Sequence, residues 1–366
     1  MSFPHSMTSR QALATTTLLA LAVLPLQSSA AVVSLPAFNV DIGQTSVSGL
    51  SAGGFMAVQF DVAYASILKG AGIIAGGPYY CAQASVNTAT SVCSCTGIFP
   101  AFCSPVNGGT DLPTLVNITD KNAHAGSIDD TASLANQKIY LFSGKVDSKV
   151  PQPVMNDLQK YYRHYIGKSN IFYKNDLRAE HAMPTDFFGN PCTTSQHPYI
   201  DRCGYDAAGE LLKWIYGGSL NPKNNGTLGG SFIQFDQSEF LADPNRHGMD
   251  DTGWLFVPAN CKNGGACKLH VVFHGCKQGQ SFVPIGIPFG PVAAAYGRTF
   301  VEKTGYNKWA DTNSIIVLYP QAATSAGNPN GCWDWWGYDD PDYATKNGRQ
   351  MAAIKNMVDR IASGSR

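Results

Sequence analysis

Residues 49–53 read Gly-Leu-Ser-Ala-Gly, a G-x-S-x-G pattern centred on Ser51. A serine hydroxyl is a weak nucleophile at neutral pH. It does covalent chemistry when a base sits in hydrogen-bond reach and a third group fixes the tautomer of that base. The flanks give the pattern its meaning. Thr45–Ser48 is short and rich in β-formers, and within Gly54–Phe60 the residues Phe55 and Val58 recur at helical spacing. Strand, sharp turn and helix would leave the serine oxygen exposed on the turn. The flanking glycines would let strand and helix approach where a side chain would clash.

Two more residues complete a nucleophilic set. Lys138–Gly144 reads as a strand that runs into Lys145-Val146-Asp147. Asn170–Tyr173 reads as a strand followed a few residues later by Glu180-His181. In an α/β sheet, ligands meet the loops beyond the carboxyl ends of the strands, so Ser51, Asp147 and His181 are expected on one rim. Ser51 is assigned as nucleophile, His181 as general base and then acid, and Asp147 as the orienting carboxylate. That work needs a neutral imidazole, so activity is expected to fall at acid pH. Asp129 and Asp130 are rivals for the carboxylate but precede their strand. His124, His164 and His197 are rivals for the base, and none directly follows a strand. Backbone N–H groups would hold the oxyanion: that of Ala52, and that of Cys276 in the turn His274-Gly275-Cys276, which ends the strand Lys268–Phe273.

The elements that must carry these groups follow from pattern. Gly70–Gly76 is a short buried strand, and a helix is expected around Val154–Tyr165. Ser231–Phe235 and Trp254–Pro258 look like an antiparallel pair, and Ser314–Pro320 is a further buried strand. The chain ends in a helix from about Arg349 to Ala362, with Met351, Ile354, Val358 and Ile361 on one face. Pro78 to about Lys121 is read as a long irregular segment, cross-linked by its four cysteines into a cap. The order Ser…Asp…His is that of α/β-hydrolases, which predicts a mostly parallel central sheet flanked by helices. In that fold the oxyanion-loop strand precedes the nucleophile, whereas here His274-Gly275-Cys276 comes more than two hundred residues after it. A circular permutation explains the order, and the usual closeness of domain termini makes it tolerable. With no repeat and no Thr/Pro/Ser-rich linker, residues 31–366 are read as one catalytic domain. Gly331–Tyr338 packs three tryptophans into four positions, as a packed corner or as an apolar wall that Phe99, Phe102 and Tyr343 would extend.

The formal net charge is zero and charged residues are only 14% of 366, so nothing offers an electrostatic footprint for nucleic acid. Arg10 is the one full side-chain charge in the first thirty residues. It precedes an apolar stretch, Ala12–Leu26, and then Ser28-Ser29-Ala30. Residues 1–30 therefore read as a secretory signal cut near Ala30 or Ala31, because the apolar run is short for a membrane span and broken by Thr15–Thr17 and Pro25. Ten cysteines in an exported chain favour disulfides, with Cys192–Cys203 and Cys261–Cys267 as local pairs. No metal, cofactor, nucleic acid or membrane is expected as a partner, and a monomer is expected. Asn117 and Asn225 carry glycosylation sequons.

Five motifs in one order carry a family resemblance: Gly49–Gly54, His274–Gln278, Asn307–Asp311, Tyr319–Gln321 and Cys332–Trp336. Together, over nearly the whole mature chain, they resemble the secreted polyhydroxybutyrate depolymerases and related esterases, in their single-domain, circularly permuted form. The resemblance implies the triad Ser51, His181 and Asp147, an oxyanion hole from Ala52 and Cys276, a Cys276–Cys332 disulfide, and Trp333 lining the substrate crevice. It implies hydrolysis of poly(3-hydroxybutyrate) or its oligomers through an acyl-serine. The rival expectations are a general secreted carboxylesterase of the feruloyl or acetyl type and a polymer-binding protein that kept a hydrolase shell. Many bacterial relatives carry a linker and a separate substrate-binding domain, and this sequence shows neither.

Overall fold

Strand β1, Val40–Leu50, is the axis of the fold and delivers the chain to Ser51. The structure, a computed structural model, describes residues 1–2, 31–97, 103, 109–218, 220–284 and 293–364. The chain divides into Met1–Ala31 and Val32–Arg366. The expected secretory signal lies, beyond its first two residues, outside the described residues.

Eight strands form the central sheet: β1, β2 (Leu68–Ile74), β3 (Lys138–Phe142), β4 (Ile171–Lys174), β8 (Ser231–Asp236), β9 (Thr252–Val257), β10 (Cys267–Phe273) and β11 (Ile315–Tyr319). Their spatial order is β4-β3-β2-β1-β10-β11-β9-β8. The six strands from β4 to β11 run parallel, and β9 and β8 pair antiparallel at the far edge. Counted along the chain from β8, the spatial order becomes 1-2-4-3-5-6-7-8 with the second strand antiparallel. That is the α/β-hydrolase sheet, entered at its fifth strand, so the fold is circularly permuted as the order of motifs required. Three short strands, β5 (Met183–Thr185), β6 (Asn190–Pro191) and β7 (Ile200–Arg202), form a separate parallel sheet just after His181.

The middle of the sheet is buried on both sides, which explains its continuous apolar strands β10 and β11. Two buried hydroxyls of β1 are paired within it. Ser46 and Ser48 contact opposite ring nitrogens of His270 on β10, at 2.6 and 2.8 Å. Burial pushes the His270 imidazole down to about 3, so it stays neutral and bridges the two strands.

Helix α1, Ala52–Ala63, is buried at every position and lies over β1, β2 and β10. Its closeness to the sheet depends on glycine. A Cβ on Gly53 would stand 2.2 Å from the Phe273 carbonyl oxygen, and one on Gly49 would stand 2.0 Å from the Gly53 carbonyl oxygen. The segment read as wholly irregular instead holds two helices. Helix α2, Val86–Ser91, is capped by Ser85, and helix α3, Leu112–His124, is capped by Asp111. Asn117 stands exposed on α3, and Asn225 is exposed in a loop. Helix α4, Gln152–Tyr165, and helix α5, Ala207–Tyr216, cover further parts of the sheet, and the last helix, α6, spans Arg349–Ala362. All ten cysteines pair: Cys81–Cys93, Cys95–Cys103, Cys192–Cys203, Cys261–Cys267 and Cys276–Cys332.

Candidate active site

The loops beyond the carboxyl ends of β1, β3, β4 and β10 converge on one cleft of about 540 Å³. Ser51 stands on the turn between β1 and α1 with φ 58° and ψ −124°, a left-handed backbone that a non-glycine residue rarely adopts. Serine is a favoured helix N-cap, yet this hydroxyl caps nothing in α1. It points instead to His181, with Ser51 Oγ 2.8 Å from His181 Nε2. The other ring nitrogen, Nδ1, lies 2.9 and 3.1 Å from the two carboxylate oxygens of Asp147. Asp147 is held in turn by the backbone N–H groups of Lys149 and Val150, each donating to Oδ1 at 2.8 Å. Asp147 and His181 are both buried, while Ser51 is half-buried and lines the cleft. Such a row is able to move a proton off the serine and hold the imidazolium that results.

Two backbone donors beside the hydroxyl are left over. Among the described residues, the N–H groups of Ala52 and Cys276 find no protein acceptor, although those around them do. Ser51 N–H donates to the Ile74 carbonyl at 3.0 Å and Lys277 N–H to the Asn330 carbonyl at 2.7 Å. Gly275 N–H donates to Gln278 Oε1 at 2.8 Å. Both Ala52 and Cys276 line the cleft.

The His274-Gly275-Cys276 turn is fastened from four directions. Its disulfide joins Cys276 to Cys332. Gln278, buried, takes the Gly275 N–H and donates to the carbonyls of Pro198 and Tyr199. His274 Nε2 accepts the Ala322 N–H at 3.0 Å, so its proton is on Nδ1, which donates to the Gly275 carbonyl at 2.7 Å. Burial lowers the His274 imidazole to about 4, and with no face on the cleft it is a support for the turn and not a second base. The fourth fastening is Trp333, whose Nε1–H donates to the His274 carbonyl at 3.0 Å.

That contact corrects the expectation for Trp333. Its ring is 0% exposed and packs on Phe273 and His274, so it cannot wall the crevice. The wall is made by its neighbours Trp335 and Trp336. Trp335 stacks on Phe55 with ring centroids 3.9 Å apart, and Trp336 meets it edge-on. Tyr343 is buried, and Phe99 and Phe102 lie outside the described residues. Val86, Ala89 and Thr90 of α2 line the cleft as well.

The rivals fall away from the cleft. Asp129 pairs with Lys346, Asp130 caps the turn at Ala132, and His124, His164 and His197 are exposed and outside the lining. Glu180 was missed by the sequence reading, although it precedes His181. Its Oε2 accepts the N–H groups of both Ser148 and His181, which ties the Asp147 loop to the His181 loop.

No protein-family model matches the chain. It is 41% identical to a polyhydroxybutyrate depolymerase of Talaromyces funiculosus, over 91% of this chain and 94% of that protein. The chain belongs to the polyhydroxybutyrate depolymerase family. It is 50% identical, over 94% of its own length, to a family member from Delftia acidovorans, poly(3-hydroxybutyrate) depolymerase, and spans 65% of that protein. Two solved structures of the family resemble it at 40% identity, each covering 91% of this chain and 100% of the solved one. One is PHB depolymerase from Penicillium funiculosum, with a TM-score of 0.78. The other is a serine-to-alanine PHB depolymerase complexed with an R3HB trimer, with a TM-score of 0.79.

Proposed function

We propose that this chain is a secreted serine esterase that cleaves poly(3-hydroxybutyrate) and its oligomers. The observation that carries the proposal is the hydrogen-bonded row Ser51–His181–Asp147 at the floor of a tryptophan-walled cleft, in a chain of this family. His181 takes the Ser51 proton as Oγ attacks the ester carbonyl. The tetrahedral oxyanion is received by the N–H groups of Ala52 and Cys276, a pair in which one donor is typically worth about 2.7–4 kcal/mol of barrier. His181 then protonates the departing alkoxide, leaving a hydroxyacyl ester on Ser51. Water, activated by the same imidazole, releases the acid.

Export is supported by the five disulfides, which suit an oxidising compartment, and by the signal-like residues 1–30. The protein acts as a monomer on this reading, with the polyester as its partner. Acid release from amorphous poly(3-hydroxybutyrate) granules tests the proposal, with Ser51→Ala as control and acetylated and feruloylated sugars as competing substrates. Release by the wild type alone, well above turnover of the sugar esters, is expected. Turnover of the sugar esters without release from granules would overturn it.

A further inference from the structure

The cleft is electrostatically lopsided in a protein whose formal net charge is zero. Among the described residues two lysines line it, Lys149 and Lys277, and no aspartate or glutamate does. Each comes from a loop already tied to the reacting groups. Lys149 follows Asp147 by two residues and gives its own N–H to that carboxylate. Lys277 follows Cys276 in a left-handed conformation, φ 65°, pinned by its N–H to Asn330. Among the described residues neither ammonium forms an ion pair, a side-chain hydrogen bond or a cation–π contact. Lys223, by contrast, is neutralised between Asp186 and Asp206. The carboxylate nearest the reacting groups, Asp147, is buried behind His181 and already accepts three donors.

A polyester of hydroxy acids is uncharged along its length and carries one carboxylate, at the end that leaves with the alcohol product. We infer that Lys149 and Lys277 form a receiving site for that terminal carboxylate, so that the cleft prefers short, carboxylate-ended hydroxyacid oligomers over neutral chains of equal length. The inference rests on the polyester reading and sets its substrate class. Two unpaired ammonium groups in a partly dry cleft act on an anion more strongly than on a solvated surface, and added salt weakens them.

Binding to Ser51→Ala protein tests this without turnover. The probes are a hydroxybutyrate trimer as the free acid and the same trimer as its methyl ester, titrated by calorimetry. The free acid is expected to bind about three- to tenfold more tightly, given the usual worth of one or two partly exposed charge pairs. Lys149→Gln and Lys277→Gln, each added to Ser51→Ala, should shrink that ratio, and both together should bring it near one. The ratio is the readout, so a loss common to both probes cancels. Should a lysine variant fail to fold, the ratio in Ser51→Ala alone should still fall as salt is raised. Equal affinity for acid and ester would overturn the inference and leave the hydrolase reading intact. Binding of neither trimer would overturn both.

Discussion

Trp333→Phe separates a support for the oxyanion turn from a wall of the crevice. The substitution keeps an aromatic ring against Phe273 and His274 and removes one N–H, the donor to the His274 carbonyl at 3.0 Å. Leaving a buried carbonyl unpaired costs about 1–3 kcal/mol. Spent on stability, that lowers the unfolding free energy by the same amount. Spent on the position of the Cys276 N–H, it slows acyl transfer by about five- to 150-fold, at 1.36 kcal/mol per factor of ten. Loss of a whole oxyanion donor, about 10²–10³, sets the ceiling. In either case the loss is common to every ester, because the same N–H serves them all. The assay compares kcat/KM for granules and for a small soluble acetyl ester in wild type and variant, beside a denaturant titration. The two substrates should fall by the same factor. A loss of tenfold or more on granules with the small ester untouched would refute this, since it would put the buried ring in contact with polymer. Trp336→Ala should give that selective pattern, because Trp336 is half-buried and faces the cleft.

Other consequences are independent of that turn. Ser51→Gly should abolish hydrolysis yet raise stability by about 1 kcal/mol, because glycine adopts the left-handed backbone without strain; a fall in unfolding free energy would contradict this. Burial raises the Asp61 carboxyl to about 7, with Tyr162 donating to Oδ2 at 2.8 Å and Oδ1 without a partner. Its folded value lies above its unfolded one, so its contribution is complete below about pH 3.8 and is lost as pH rises through about 7. Asp61→Asn should flatten the fall in stability between about pH 4 and 7, by at most about 4 kcal/mol, and an unchanged pH profile of thermal unfolding would count against it. Replacing Cys276 and Cys332 together by Ala removes a link across 56 residues. It should cost about 4 kcal/mol of stability by loop closure and slow acyl transfer on all esters, and retention of both would show the turn to be held without it.

The parts of this site that were legible in sequence are those where local chemistry fixes the backbone. The Ser51 turn needs glycines at 49 and 53, and the strands ending near Asp147 and His181 are runs of apolar residues too short to be helices. The C-terminal helix was readable because Met351, Ile354, Val358 and Ile361 keep a 3.6-residue period. Helix α3 was passed over because it buries only Leu115 and Thr119, which leaves little period to see. Helix α5 carried an Asp206 cap and a left-handed Gly217 at its end, signals the reading did not use. Strands β5 to β7 are two or three residues long, below the length at which alternation shows. Trp333, Trp335 and Trp336 lie outside regular structure, where no period tells an inward ring from an outward one. The family resemblance points to Trp333 for the crevice, whereas the structure gives the crevice to its neighbours.

The central claim is that Ser51, His181 and Asp147 act as one nucleophilic unit in this cleft. Labelling with a serine-reactive phosphonate, located by peptide mass, tests it most directly. The account predicts a single adduct on the peptide containing Ser51, protected by hydroxybutyrate trimer and slowed by orders of magnitude in His181→Gln. An adduct on another serine, or ester hydrolysis that persists in Ser51→Ala protein, would contradict it.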